Sequence, residues 1–196
     1  MAWSKKQIAD WKLANKKGDN VPRVSDVSQR IDSKWQPPEV DCLKINVDAS
    51  LVEGQNSFTI GMVLRNHHGH FLVGKTLKFV GSVSVMEAEM TRIFEALNWT
   101  QEVASGRGVI VESNSLLSVR AIQQEQENLL ELGDLISQCR TLLRSNGRMS
   151  IRFGKKHANK VAHMFARIPC EINSFTVTQS PPVYMLETIM SEILMI

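Results

Sequence analysis

Leu43-Lys44-Ile45-Asn46-Val47-Asp48 alternates apolar and polar side chains, the pattern of a strand with one buried face. Leu43, Ile45 and Val47 share that face, so Asp48 falls with Lys44 and Asn46 on the other. Downstream, residues 58–65 and 71–79 read as two further strands, joined by the turn Asn66-His67-His68-Gly69. The three form an antiparallel meander.

A long helix follows, because Met86, Met90, Ile93, Phe94 and Leu97 recur at helical spacing as one apolar stripe. Ser84 with Glu87 three positions later predicts a capping box at its start, and Gly106 and Gly108 close it. Val109-Ile110-Val111 is a short, fully apolar strand. Helices are expected over 115–124 and 132–145, a strand over 149–153, and a last helix over 158–168, stopped by Pro169. The helical stretch before the strand at 149–153 is long enough for a crossover, which makes the last two strands parallel. The expected architecture is therefore α/β: a five-stranded mixed sheet, three antiparallel hairpin strands then two parallel ones, flanked by helices.

Outside this core, residues 1–38 read as a polar tail or linker with scattered Trp3, Trp11 and Trp35, one marginal helix over 5–16, and the stiff end Pro37-Pro38. The domain proper is assigned to 39–172, and 173–196 to an apolar C-terminal extension. Of the 196 residues, 43% are hydrophobic and 22% charged, with a formal charge of +3, the balance of a soluble globular chain. The three cysteines Cys42, Cys139 and Cys170 lack CxxC spacing; this argues against a disulfide framework or zinc site and for a reducing compartment. The first residues lack the apolar segment of a secretory signal, and no apolar run approaches the roughly 20 residues needed to span a bilayer. A nuclear or cytoplasmic protein is expected.

Several polar residues sit at the edges of this scaffold. Asp48 ends the first strand, where a solvated turn acid is the plainer reading. Glu87 has its cap to serve, whereas Glu89 has no such structural task. Asn114 follows a strand and precedes a helix, as an N-cap would. His163 lies opposite the apolar face of the last helix formed by Val161, Phe165 and Ile168. The cluster His67-His68-Gly69-His70 invites a metal but is explained by a polar turn.

Together and in this order, four segments resemble the ribonuclease H family, in particular plant proteins with a reverse-transcriptase-derived RNase H-like domain. They are WQPPEVDCLKINVDAS, VMEAEMTRIFEALNW, GVIVESNSLLSVRAI and ANKVAHMFAR, and the resemblance covers about residues 35–172. It implies a site of four carboxylates holding two divalent ions, Mg²⁺ or Mn²⁺, for attack on an RNA phosphate. Asp48 and Glu89 match the first two acids and would be the metal ligands. Asn114 stands where the third acid is expected and His163 where the fourth is, which halves the formal negative charge and weakens ion binding. Glu112 is too far inward to replace Asn114. His157 lies where nucleases of this family often keep a mobile His. The basic run Arg148, Arg152, Lys155, Lys156, His157 and Lys160, with Ser113 or Ser115, would contact phosphates.

Three functions follow. The first is a binder of RNA–DNA hybrid or RNA, with hydrolysis weak or lost. The second is an active metal-dependent hybrid endoribonuclease. The third is a protein-interaction module, acting through the apolar C-terminus, on a retired nuclease fold. A membrane partner is not expected, since the charges of that terminus are acidic.

Overall fold

A computed structural model of the chain describes residues 34–51, 56–81, 83–104, 106–124 and 132–194. The expected helix over 5–16 lies outside the described residues. The alternation around Asp48 belongs to a ten-residue strand, β1 (Cys42–Leu51). β2 (Ser57–Asn66) and β3 (Phe71–Val80) complete the antiparallel meander, with Asp48 opposite Gly61. The polar turn between them is closed by Asn66, whose Oδ1 accepts from the backbone N–H of His68 and of His70, each at 3.0 Å.

The capping box forms as expected and starts α1 (Val85–Val103). β4 (Gly108–Ser113) then pairs parallel with β1, and β5 (Met149–Phe153) pairs parallel with β4. Between β4 and β5 the chain forms α2 (Leu116–Gln123) and α3 (Gly133–Ser145).

Two features differ from expectation. The last helix of the core is shorter: a 3₁₀ turn, Lys156–Asn159, leads into α4 (Lys160–Phe165). Asn159 is buried there and donates its side-chain amide to the Val47 carbonyl at 2.9 Å, which pins the turn to the middle of β1. The sheet has six strands rather than five, in the order β5-β4-β1-β2-β3-β6. The extra strand, β6 (Phe175–Thr178), pairs antiparallel with β3 alone. Its sequence alternates Thr with Phe and Val, residues that favour strands. As a four-residue edge strand with mostly exposed side chains, it leaves no burial pattern to read.

The sheet separates two cores. One face carries Leu43, Ile45 and Val47 with Ile60, Met62, Val109 and Val111, packed under α1, α2 and α3. On the other, Val63 packs with Val161 and Phe165 of α4 and with Met185 and Ile189. Ile189 belongs to α5 (Leu186–Ile193), so the apolar C-terminal segment packs on the domain. No helix among the described residues is long and apolar enough to cross a membrane.

Candidate nuclease-like centre

Asp48 reaches the α4 side of the sheet near the end of β1 and is 6% exposed. Its two carboxylate oxygens are both engaged: Oδ2 lies 2.6 Å from Nδ1 of His163, and Oδ1 accepts from Nη1 of Arg92 at 2.6 Å. Glu89, in the second turn of α1, forms an ion pair with the same arginine. Past the end of β4, Asn114 Oδ1 accepts from Arg92 Nη2 at 2.8 Å, and Ser113 Oγ does so at 3.1 Å. The four positions 48, 89, 114 and 163 thus come together at the end of the central strands.

Arg92, which no sequence motif marks, joins Asp48, Glu89 and Asn114, and His163 attaches through Asp48. Arg92 lies one turn after Glu89, and its side chain is fully buried. The only signal in the chain is an arginine three places beyond Glu89, beside the apolar stripe of Met90, Ile93 and Leu97. A helix tolerates an arginine there as readily as on a solvated flank, so spacing alone did not single it out.

Other expected residues divide. Asn114 does not cap α2; Ser115 holds the N-cap position, without a capping bond from its side chain. Ser115 Oγ instead pairs with Ser118 Oγ at 2.9 Å. Ser113 is fully buried, which removes it from phosphate contact. Glu112 is held elsewhere, by Lys44 Nζ at 2.7 Å and by the Asn46 side-chain amide at 2.9 Å, so it does not complete the acid set.

That second polar network runs beneath α5. Trp35 Nε1 and Arg65 Nη2 each donate to Asn46 Oδ1 at 2.8 Å. The Arg65 guanidinium lies 3.7 Å from the Trp35 ring centroid and pairs with Glu192 of α5. Burial pushes the Glu192 carboxyl above the ordinary glutamate range against the pull of Arg65, and lowers Lys44 against the pull of Glu112. Trp35, placed by composition in the tail, is 2% exposed.

The basic run is exposed around α4. Lys156, His157, Lys160 and His163, with Met164 and Thr188, line a groove of about 320 Å³, so the inner edge of that groove leads to Asp48 through His163. Lys155 lines an adjoining hollow with Phe153 and Gly154, and Arg152 is exposed on β5. Arg148, expected with this run, lies apart from it. It precedes β5, at the strand end remote from Asn114, and donates to the Gly106 carbonyl at 2.5 Å.

Two divalent ions do not fit this centre. Among the described residues, no three His, Cys, Asp or Glu side chains form a group suited to holding a metal ion. The lone pairs that would ligate ions are instead directed at a guanidinium. A divalent ion 4 Å from that positive charge is repelled by roughly 8 kcal/mol at an effective dielectric near 20. Burial raises the Glu89 carboxyl above its ordinary range, opposed by Arg92 and reinforced by Asp48.

The family described as reverse transcriptase-like matches residues 46–168. No curated protein matches the chain in sequence. Among solved structures it is similar to RNase H1 of the halophilic archaeon Halobacterium salinarum NRC-1, with 16% identity and a TM-score of 0.56 over 64% of this chain and 94% of that one. The N-terminal RNase H domain of rv2228c from Mycobacterium tuberculosis, solved as a maltose binding protein fusion, is 18% identical, with a TM-score of 0.52 over 64% of this chain and 90% of that chain. LC11-RNase H1, solved in complex with an RNA/DNA hybrid, is 19% identical, with a TM-score of 0.53 over 63% of this chain and 92% of that chain. At these identities the likeness is one of fold.

Proposed function

The chain belongs to the reverse transcriptase-like family, whose RNase H-like fold it has, and from that premise we propose that it is a nucleic-acid-binding domain in which hydrolysis is weak or lost. The observation that supports this most is the pairing of an exposed basic groove with an inward site that holds Asp48 and Glu89 but Asn114 and His163 in place of two acids. Arg152, Lys155, Lys156, His157 and Lys160 supply donors to phosphates, a mode that gives affinity with little sequence preference. The ligand class is RNA–DNA hybrid or RNA, met in the nucleus or cytosol.

Filter binding across a salt series tests the reading. Labelled hybrid is retained more strongly than by a neutral protein of equal pI, with log affinity falling linearly against log salt. Lys155→Ala with Lys156→Ala weakens retention and lowers the salt slope by up to ~2. Equal retention by the control protein would sink the proposal. The hybrid itself stays uncut in Mg²⁺ or Mn²⁺; cutting abolished by Asp48→Asn would instead identify an active ribonuclease. The exposed Val183, Tyr184, Met190 and Leu194 offer the alternative of a protein partner. A complex that survives nuclease treatment and the lysine substitutions would favour it.

A further inference from the structure

We infer that Arg92 is a built-in cation standing in for the divalent ions of this site, so that the centre is assembled without metal and is closed to it. Its guanidinium is met from three separate segments: it donates to Asp48 Oδ1 on β1 at 2.6 Å and to Asn114 Oδ1 after β4 at 2.8 Å, and forms an ion pair with Glu89 on α1. A hard ion at this position would draw on the same oxygens. The planar fork of a guanidinium suits carboxylate and amide oxygens and keeps its charge at every working pH.

Burial decides between this role and an ordinary ion pair. Arg92 is 0% exposed, and a charge so placed persists only with its partners in place. It has two carboxylates, one more than a simple pair needs, and a neutral amide and hydroxyl beside them. Asn114 fits this arrangement. A third carboxylate there would leave a single guanidinium facing three negative charges, whereas an amide oxygen accepts the bond without adding charge. His163 then caps the free oxygen of Asp48 from α4. The non-acidic residues at 114 and 163 and the arginine at 92 thus form one consistent set, in which a single fixed cation faces two carboxylates.

This inference deepens the reading of the site as a retired nuclease centre and rests on it. Its test is ion binding rather than catalysis: calorimetric titration with MgCl₂ and MnCl₂, together with melting temperatures in each ion and in EDTA. Wild-type protein should show no saturable heat and a melting temperature indifferent to both ions and to EDTA. Arg92→Met, of similar length but neutral, should gain saturable Mn²⁺ binding where wild type shows none, a gain of at least ~100-fold in affinity. Its melting temperature should rise with the ion, and adding Asp48→Asn should abolish that rise. Arg92→Lys, which keeps a charge, should remain indifferent to ions.

If Arg92→Met is unfolded alone but refolds in Mn²⁺, the inference holds. A loss of fold that no ion recovers would make Arg92 a plain buttress and overturn it. So would saturable Mg²⁺ or Mn²⁺ binding by wild type that Asp48→Asn removes. Failure of hybrid retention in the filter assay would defeat the nucleic-acid reading and leave the ion titration standing.

Discussion

Cys139 sits in α3 with none of its surface exposed, and burial pushes its thiol from 9.0 up to about 12. The folded protein therefore keeps this proton at a pH where the unfolded chain has lost it. Stability falls as pH rises through that window, at up to about 1.4 kcal/mol per pH unit. Cys139→Ala removes the effect at a pH-independent cavity cost of about 1 kcal/mol. Denaturant melts of the two proteins should run parallel below pH 9 and converge above it; parallel curves throughout would deny the shift. Arg92 shows the same principle with the opposite remedy. There the fold meets burial with partners, two carboxylates and two neutral oxygens.

Between elements, α4 lies close against β2 at Gly61. A Cβ on Gly61 would meet Ala166 N at 2.1 Å and the Phe165 carbonyl carbon at 2.5 Å, so glycine is what lets the helix lie against the strand. Asp48 is the cross-strand neighbour of Gly61, and His163 is carried by α4. Gly61→Ala should thus cost about 1–3 kcal/mol and also lift His163 away from Asp48. Nitrogen-15 shifts of the His163 ring should change in step with the stability loss; unchanged shifts would mean the strain is relieved elsewhere. Element existence was readable because β1, β2, β3 and α1 bury long periodic faces. β6 and the 3₁₀ turn were not, since four-residue elements at an edge or a bend bury too little to leave a period.

For the molecule as a whole, the two faces of the sheet are filled differently. The α1 face is filled mainly by apolar side chains, with Thr100 and Ser118 buried among them. The α4 face holds the charged set of Lys44, Arg65, Glu112 and Glu192, sealed by Trp35 and α5. Trp35→Ala should therefore lower global stability by about 3–5 kcal/mol, measured by urea unfolding. A loss within experimental error would show that the tryptophan lies on the domain without supporting it. Arg65 shares acceptors with it, so the Trp35 and Arg65 effects should be non-additive in a double-mutant cycle.

The chain's own patterning determined the order of the first five strands and of the helices between them, the parallel pairing of the last two of those strands, and the segments that carry Asp48, Glu89, Asn114 and His163. These are local matters, settled by periodicity, caps and turns that act over a few residues. Only the folded arrangement decided that Arg92 joins Asp48, Glu89 and Asn114, that Glu112 turns to Lys44, and that Trp35 joins the core. Each depends on which side chains meet across elements dozens of residues apart. A buried charge chooses its partners by proximity and desolvation, neither of which is written in the spacing of a single segment.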